Sequence, residues 1–406
     1  MLKVGVTGVR GYAEVHHAQI SRMEEAGSVA LRSVVIPEIH GAKDASAEDL
    51  DALERRGIRV FETLTEMISR DDTLDVVFLP VGIPLHHTLA IQCLEAGIHV
   101  VCEKPMTGSC AQADAMMAAR DRSRKRLVLA FQHMYHPSVD FLRGLVASSS
   151  YGRLLRADTL VLWPRDSAYF SRNTWAGRFD RDGVVIRDCP LNNACAHFMQ
   201  NMLYVASAPG GIAAEASVGR ADNYRSAPID TADTQDVEVA GPDGLRLRMI
   251  VSHACVQNEN AFTVFQFEQK HVYWLQEGQI FLADPGPMPR FSDRTALSEA
   301  AAEGAYGVRA VFDGTTYSAS NEAFDAMVRG IEDDTPLPSD ASQCRAHVHI
   351  VEQALPNAEA VRTMPGTEER RTTRANGTVV QRWIRPGIEQ AAHTAFCSNE
   401  PLSEFL

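Results

Sequence analysis

The tripeptide Glu103-Lys104-Pro105 contains the residue whose type and position point most directly to chemistry. It follows residues 98–102, a short apolar run that predicts a buried strand. Ligands of open α/β sheets bind outside the carboxyl ends of the strands, so a lysine at this position can reach a bound ligand. Partial burial would depress the pKa of Lys104 and let it transfer a proton or donate a hydrogen bond. A solvated surface charge is the alternative interpretation.

A glycine-rich turn follows the first apolar run, residues 2–7, and indicates a dinucleotide site. Gly8 ends that run, where a tight turn needs a residue without Cβ. The G-x-G-x-x-G spacing is imperfect, because Arg10 stands at the second glycine position, Gly11 follows it, and Ala13 takes the third. The Arg10 guanidinium either lies by the pyrophosphate or points to solvent.

The type of dinucleotide depends on the acid that follows the second predicted strand, because such an acid binds the ribose hydroxyls of NAD. Glu38 is the candidate, and its assignment depends on the register of that strand. No arginine follows it directly, which favours NAD; His40 and Lys43 keep NADP open. The predicted cofactor-binding residues are Gly8, Arg10, Gly11, Tyr12, Glu38, Pro80, His86, Glu103 and Lys104.

A second catalytic candidate is His197. If residues 190–206 form one long helix, Asn193 and His197 lie four residues apart on the same face. A polar stripe on an otherwise apolar helix costs stability unless it is satisfied. His197 is therefore either a hydrogen-bonded structural histidine or, as we favour, a residue that faces a ligand. Asp188 precedes this segment and is a further source of a carboxylate near the helix start.

Aromatic, arginine and asparagine side chains are mixed between residues 163 and 178. Aromatic rings can stack on a polar ring while arginine and asparagine bond around its edge, so the segment predicts a binding site for a substrate that contains a polar ring. Arg165, Arg172 and Arg178 could select a carboxylate or phosphate on it. A packed surface loop or an oligomer contact is the alternative. The predicted substrate-binding residues are Trp163, Arg165, Tyr169, Arg172, Trp175 and Asn193.

Two patterns along the chain predict the elements that position these residues. Residues 1–131 alternate between strand-like and helix-like stretches, which predicts a doubly wound parallel sheet of the Rossmann type. Later strand candidates follow one another without helical interludes, which predicts a largely antiparallel sheet covered on one face by the helix at 190–206. We predict residues 283–316 to be an extended surface loop and residues 365–376 a polar linker. The predicted domains are 1–135, 136–364 and a C-terminal extension, 365–406.

Composition limits the classes of function. A chain of 406 residues with 45% hydrophobic and 22% charged residues is typical of a two-domain globular protein. The net charge of -13 argues against non-specific binding to nucleic acid or to an anionic membrane. The start resembles no signal peptide, and no apolar stretch is long enough to span a bilayer. The eight scattered cysteines predict buried free thiols in a reducing cytoplasm, and no metal site is predicted.

Taken together, these motifs resemble the glucose–fructose oxidoreductase / inositol dehydrogenase / MocA (Gfo/Idh/MocA) family. The resemblance extends from residue 1 to about residue 360 and is specific for the family but not for one enzyme. The segments that carry it are the glycine-rich start ending at His16, Leu85-His86, Ala96–Val100 leading to Glu103-Lys104-Pro105, Phe131-Gln132 through Pro137, Asn193-x-x-x-His197, and Phe324–Gly330 with Pro336-Leu337-Pro338.

The resemblance implies a Rossmann domain, an α/β domain with an open, mostly antiparallel sheet, a bound NAD(H) or NADP(H), and sugar- or polyol-like substrates. The family's catalytic lysine and histidine correspond to Lys104 and His197, and the Lys104–Pro105 peptide is expected to be cis. One position departs from the family pattern: the aspartate four residues before the histidine is here Asn193. Losing a nearby carboxylate should lower the pKa of a lysine or histidine close to it.

The predicted function is that of an NAD(P)-dependent oxidoreductase that moves a hydride between a nicotinamide cofactor and a sugar, polyol or related secondary alcohol. Lys104, His197 and Asn193 are its predicted catalytic residues. Two alternatives stay open: redox-assisted elimination or glycoside cleavage with tightly bound NAD, and a non-catalytic dinucleotide-sensing regulatory protein. A free apolar sheet face predicts a homo-oligomer, because such faces tend to be covered.

Overall fold

The chain forms two compact units in the computed structural model, which describes residues 1–36, 45–208, 216–286 and 291–406 together with the backbone of 38–39 and 42–43. The first unit consists of Met1–Tyr135 and Ser318–Arg345, and the second of His136–Tyr317 and Ala346–Leu406. From the sequence we assign residues 318–345 to the second domain, whereas in the structure they complete the first unit.

Helices and strands alternate through the first part of the chain, as the sequence predicts. The side chains of Ser46, Thr63 and Ser109 each accept a hydrogen bond from the backbone N–H three residues on, which defines three of the helix starts. The elements are β1 (Leu2–Thr7), α1 (Ala13–Glu25), β2 (Val29–Val35), β3 (Glu38–Ile39), β4 (Ala42–Lys43), α2 (Ala47–Arg55), β5 (Arg59–Phe61), α3 (Leu64–Arg70), β6 (Val76–Leu79), α4 (Ile83–Glu95), β7 (His99–Cys102), α5 (Cys110–Ser123) and β8 (Leu127–Leu129).

The rest of the chain is richer in strands. Its elements up to residue 317 are α6 (Pro137–Ser148), β9 (Leu154–Leu162), α7 (Ser167–Phe170), β10 (Asp180–Arg181), β11 (Val184–Val185), α8 (Ala196–Ala206), β12 (Ser217–Arg225), β13 (Thr234–Ala240), β14 (Arg246–Ser252), β15 (Glu259–Phe267), β16 (His271–Leu275), β17 (Ile280–Ala283), α9 (Arg294–Glu303) and β18 (Arg309–Phe312). The last elements are α10 (Ala319–Glu332), α11 (Ala341–Ala354), β19 (Arg362–Thr363), β20 (Glu368–Thr373), β21 (Val379–Ile384) and α12 (Ile388–Ser398).

The first unit is built on a six-stranded parallel sheet with the order β5-β2-β1-β6-β7-β8. The central strands are buried on both faces, as the successive residues Val76 and Val77 of β6 illustrate with no exposed surface. The order reverses direction between β1 and β6, which is where ligands of doubly wound sheets bind. The predicted Rossmann-type sheet is therefore confirmed.

Helix α10 completes the core of the first unit. The Phe324 ring lies 5.0 Å from the ring of His16 and 5.8 Å from that of Phe78, measured between centroids. On the surface of the same helix, Asp325 forms a 2.6 Å ion pair with Arg22 of α1. These contacts explain why a segment distant in sequence belongs to this unit.

The second unit contains a nine-stranded sheet with the order β18-β17-β16-β15-β9-β14-β13-β12-β19. Only β9–β14 and β12–β19 pair in parallel, so the predicted open, mostly antiparallel sheet is confirmed. One face packs against α8, where Phe198 and Met202 are buried with Val161 of β9, as predicted for the helix. The other face packs against α9 and α12, where Leu297 and Phe396 join the buried cluster. An uncovered sheet face was the reason to predict a homo-oligomer, and the chain's own helices cover that face.

Three expectations about local structure are wrong. Residues 283–316 contain α9 and β18, because Asp293 caps α9 by accepting from Ala296 N, and β18 pairs with β17. Residues 365–376 contain β20, which forms a hairpin with β21; its exposed strand lacks the apolar alternation that identifies buried strands. The helix predicted at 190–206 begins at Ala196.

Within the described residues, no helix has the length and apolar character needed to cross a lipid bilayer.

Candidate active site

The turn after β1 has the geometry of a nucleotide-binding turn. Gly8 and Gly11 have φ angles of 84° and 65°, in the left-handed region that favours glycine. Helix α1 begins directly after this turn, and its N-cap residue, Tyr12, makes no side-chain cap hydrogen bond. No side chain of the N-cap residue therefore bonds to the backbone N–H groups at the start of α1. Such N–H groups at a helix N-terminus can bind a phosphate.

Two observations at this turn fit a dinucleotide. The Glu14 carboxylate accepts a hydrogen bond from the backbone N–H of Gly11 at 3.2 Å, so an anionic oxygen already bonds to the turn. Thr7 Oγ1, at the carboxyl end of β1, is buried without a hydrogen-bond partner among the described residues. A buried hydroxyl without a partner costs stability, so a ligand that bonds to it would be stabilised there.

The other residues predicted to contact the cofactor have different outcomes. Arg10 donates to Asp49 Oδ2 from Nε at 3.0 Å and from Nη2 at 2.5 Å, so it is paired at the start of α2 instead of standing free at the turn. The side chain of Glu38 lies outside the described residues. Burial and the charge of Glu103 raise the pKa of Tyr12, so its hydroxyl stays protonated.

The Glu103 cluster, which consists of His16, Glu103, Lys104 and Gln132, orders the chain after β7. The Glu103 carboxylate is 5% exposed and accepts from His16 Nε2 at 2.9 Å and from Gln132 Nε2 at 3.3 Å. It also accepts from the backbone N–H of Lys104 at 3.1 Å. Because a buried carboxylate needs such partners, this network fixes the backbone that carries the half-buried Lys104 side chain.

His86 holds the residues after Lys104. The Lys104–Pro105 peptide is cis, as expected from the resemblance. His86 is 1% exposed, and its Nδ1 and Nε2 lie 2.8 Å from Pro105 O and 3.0 Å from Val81 O. Burial lowers the pKa of His86. Both ring nitrogens face backbone carbonyls, so His86 ties the chain after Pro80 to the chain after Lys104 and presents neither nitrogen to a ligand.

In the second unit, the structure brings the predicted substrate-binding residues together as an arginine–aromatic ladder of Trp163, Arg165, Tyr169, Arg172 and Trp175. The Arg165 guanidinium carbon lies 5.5 Å from the ring centroid of Trp163 and 4.8 Å from that of Tyr169. The corresponding distances from Arg172 are 3.9 Å to Tyr169 and 5.3 Å to Trp175. Each guanidinium thus contacts two aromatic rings, an arrangement that favours the cation.

The short helix α7 positions the middle of this ladder. Its N-cap is Asp166, whose Oδ1 accepts from Ala168 N at 3.0 Å and Tyr169 N at 3.2 Å. Arg374, from the C-terminal hairpin, donates to both oxygens of Asp166 at 2.6 and 2.8 Å. Sequence reasoning missed both residues: an aspartate two residues before Ala168 is a recognisable cap, but nothing in the sequence pairs it with Arg374.

Asp188 supplies a carboxylate to Asn193. Asp188 is 5% exposed; its Oδ1 accepts from Asn193 Nδ2 at 2.7 Å and its Oδ2 from Gly177 N at 2.7 Å. Arg172 Nη2 lies 3.6 Å from the same Oδ2. The negative charge that Asn193 lacks is therefore present one hydrogen bond away, from a residue that the sequence offered as a further source of a carboxylate.

His197 is the second residue of α8, and Asn193 lies in the turn before that helix. The two residues therefore do not share a helical face, which corrects the expectation from their spacing. The turn is held by side chains: Leu191 N donates to Gln235 Oε1 at 3.0 Å, and Asn192 Nδ2 donates to Ile186 O at 2.9 Å. Such bonds compete with regular helix formation.

The arginine–aromatic ladder lies beside the start of α8. The ring of Phe198, which directly follows His197, packs edge-on against Trp163 with 5.7 Å between centroids. Burial and the charge of Asp188 raise the pKa of Tyr169 to about 12, so its hydroxyl is protonated near neutral pH. The half-buried His197 and the ladder therefore belong to one region of the second unit.

His253 is a member of this region that sequence reasoning missed. It follows β14, is 4% exposed, and donates from Nδ1 to Trp163 O at 2.7 Å. Burial together with Arg165 and Arg172 lowers the pKa of His253 to about 3, so it is neutral near pH 7. Nothing in the local sequence marks it, because its partners lie about 90 residues earlier in the chain.

The fold and these residues define a class of protein: a Rossmann-type domain followed by a domain with an open, mostly antiparallel sheet. Residues 2–131 match the family model described as "Oxidoreductase family, NAD-binding Rossmann fold". The resemblance to the Gfo/Idh/MocA family stated from the motifs is confirmed, with the sequence match in the first domain. NAD, the predicted cofactor, is the one that the family description names.

Similarity to individual proteins is distant. Glucose-6-phosphate 3-dehydrogenase of Bacillus subtilis is 28% identical over 156 residues, which are 38% of this chain and 41% of the relative. The chain thus matches about two fifths of that relative's length. Among solved structures, the WlbA dehydrogenase of Bordetella pertussis, in complex with NADH and UDP-GlcNAcA, has a TM-score of 0.65 at 18% identity, covering 87% of this chain and 96% of its own. Levoglucosan dehydrogenase in complex with NADH and L-sorbose has a TM-score of 0.68 at 16% identity, covering 89% and 98%. The structural likeness extends over both units and concerns the fold.

Proposed function

We propose that this protein is an NAD(P)-dependent oxidoreductase that transfers a hydride between a nicotinamide cofactor and a secondary alcohol of a sugar, polyol or related compound. The observation that carries the proposal is the Glu103 cluster, which orders Lys104 at the carboxyl edge of a Rossmann sheet. The names of the relatives support the substrate class: one is a glucose-6-phosphate 3-dehydrogenase, and one solved structure holds NADH with L-sorbose.

The residues have distinct roles in this proposal. Gly8, Gly11 and Thr7 would hold the cofactor at the start of α1, and the nicotinamide when bound supplies the hydride chemistry. Lys104 donates a hydrogen bond to the reacting oxygen and stabilises its developing negative charge. His197 takes the proton of the hydroxyl group, a step that typically contributes ~100- to 10,000-fold to the rate.

In the second unit, Asn193 orients a substrate hydroxyl, and the arginine–aromatic ladder stacks on the sugar-like ring. Asp188 is a positioning residue, since it acts on the substrate through Asn193. A cytoplasmic location is part of the proposal and is supported by the eight cysteines, all of which are free thiols. A homo-oligomer remains a prediction from the sequence.

A screen of sugars, inositols and their acids with NAD and NADP, followed by absorbance of the reduced nicotinamide, tests the activity. With the substrate so identified, Lys104→Met and His197→Ala are each expected to lower kcat by ~100-fold or more. Full turnover in both variants would remove the assignment of these residues. Circular dichroism and NADH binding provide the control that both variants fold and hold the cofactor.

The same screen separates the two alternatives left open by the sequence. Redox-assisted elimination or glycoside cleavage would release product without accumulating NADH, because the cofactor is restored in each turnover. A dinucleotide-sensing regulatory protein would bind NAD(H) tightly and turn over none of the compounds. Net formation of NADH with one of them supports the dehydrogenase and opposes both alternatives.

A further inference from the structure

Arg165 differs from the other arginines of the substrate region because it has no acidic partner among the described residues. Arg172 lies 3.6 Å from a carboxylate oxygen of Asp188, and Arg178 lies 3.2 Å from one of Asp230. Within the described parts of the chain, no carboxylate comes within ion-pair distance of Arg165. Three arginines were candidates from the sequence, and the structure leaves one of them with an uncompensated charge.

The hydrogen bonds of Arg165 are also incomplete. Its Nη1 donates to the carbonyl of the preceding residue, Pro164, at 3.1 Å. Its Nε is buried and has no hydrogen-bond partner among the described residues. The rings of Trp163 and Tyr169 favour the cation by their quadrupoles, but they do not neutralise it. A buried charged donor without an acceptor is costly, so the site favours a ligand that supplies one.

The polar groups around Arg165 do not supply the missing negative charge. His253, whose backbone carbonyl accepts from Arg165 N at 3.2 Å, has a pKa lowered to about 3 by burial and by Arg165, so it is neutral. The Tyr169 hydroxyl is protonated near neutral pH. Asp188 is already shared by Asn193, Gly177 and Arg172. The region therefore carries one excess positive charge.

We propose that Arg165, whose guanidinium lies against the rings of Trp163 and Tyr169, binds an anionic group of the substrate, a carboxylate or a phosphate. A guanidinium offers a planar fork of N–H donors that matches both groups. Because Trp163 packs against Phe198 beside His197, the anion lies near the start of α8. The inference rests on the proposed function and narrows its substrate class to sugar acids or sugar phosphates.

The test compares three probes, D-glucuronate, D-glucose 6-phosphate and D-glucose, on the NADH-loaded protein. Calorimetry measures their binding, and NAD reduction measures turnover separately. The wild-type protein is expected to bind one charged probe at least ~10-fold more tightly than glucose, and the preferred probe identifies the group. Arg165→Gln is expected to lose ~10- to 100-fold in affinity for that probe and clearly less in affinity for glucose, while Arg165→Lys recovers part of the loss.

Arg181→Gln is the matched control, because Arg181 is an exposed arginine of the same unit that is paired with Asp182. Equal binding of charged and neutral probes, binding of none of the three, or an equal loss in the Arg181 variant would overturn the inference. Charge-dependent binding without NAD reduction would leave the inference standing and contradict the proposed function. Reduction of NAD by glucose with no advantage for a charged probe would support the proposed function and contradict the inference about Arg165.

Discussion

The Glu103 cluster and the arginine–aromatic ladder organise charge in opposite ways. In the Glu103 cluster, one buried carboxylate accepts hydrogen bonds from two side chains and from the backbone of Lys104. In the ladder, two guanidiniums lie over three aromatic rings, and one of them, that of Arg172, faces the carboxylate of Asp188. The cluster is built at the ends of a parallel strand and a helix, whereas the ladder is built on irregular chain around α7.

This contrast teaches how the two regions divide their tasks. The Glu103 carboxylate accepts hydrogen bonds from His16, Gln132 and the Lys104 backbone, and these bonds hold that backbone in one geometry. A fixed backbone suits Lys104, because a catalytic group must be positioned accurately. In the ladder, Arg172 faces a carboxylate and Arg165 does not, so the cation of Arg165 and the aromatic rings can bind a ligand. This arrangement suits substrate recognition. We expect substitutions in the Glu103 cluster to change stability and rate together, and substitutions in the ladder to change substrate affinity.

The largest effect expected in this comparison is that of Glu103→Ala. The change leaves His16, Gln132 and the Lys104 amide without their acceptor, which should lower the free energy of unfolding by about 3 kcal/mol. Urea unfolding measures it. Glu268→Ala is the matched control, since Glu268 is a half-exposed carboxylate beside Arg153 and should change stability by less than about 1 kcal/mol. Equal effects of the two variants would show that the buried network adds nothing.

Asp188→Asn tests the single carboxylate of the ladder. The variant removes the charge that Arg172 and Asn193 face, so the free energy of unfolding should fall by about 2 kcal/mol. Substrate KM should rise more than kcat falls, since Asp188 acts through Asn193. Asp230→Asn, at an exposed pair with Arg178, provides the comparison and is expected to have little effect on either quantity. A pure loss of kcat at unchanged KM would speak against a positioning role.

Acid should destabilise the protein through His253, which lies beside the ladder. Its pKa in the folded state is about 3, below the value of about 6.5 expected in the unfolded chain. As the pH falls below 6.5, His253 becomes protonated in the unfolded chain but stays neutral in the folded protein. The free energy of unfolding therefore decreases by about 1.4 kcal/mol per pH unit. Between pH 7.5 and 5.5, the wild-type protein should therefore lose about 1.4 kcal/mol more than His253→Asn, as measured by urea unfolding. An identical pH dependence of the two proteins would contradict the buried, neutral histidine.

The smallest effect is expected from Arg374→Gln. It removes the ion pair that joins the C-terminal hairpin to Asp166, the cap of α7. Because Arg374 lies at the surface, where solvent and salt screen its ion pair, the free energy of unfolding should change little. Substrate KM should nevertheless rise a few-fold, since α7 carries Tyr169. Arg370→Gln, which removes an exposed pair with Glu368 in the same hairpin, is the control and should leave KM unchanged.

Much of the first unit could be predicted because its central strands are short, apolar and buried on both faces. The predicted first strand has the bounds of β1, and Lys104 follows β7 as expected. Failures occurred where the local pattern was weak or overridden: the polar strand β20 was predicted as a linker, and side-chain bonds delay the start of α8 to Ala196. The predicted ladder residues do come together, but no periodicity reveals which guanidinium lacks a carboxylate.

The sequence by itself determined the Rossmann pattern, the glycine turn and the lysine at a strand end, because strand periodicity and turn chemistry are local properties of the chain. Only the tertiary structure decided that α10 completes the first unit, that Asp188 supplies a carboxylate to Asn193, and that Arg165 keeps an uncompensated charge. These outcomes depend on contacts between distant segments. Burial and charge pairing arise only when those segments meet, so they leave no signature in the order of residues.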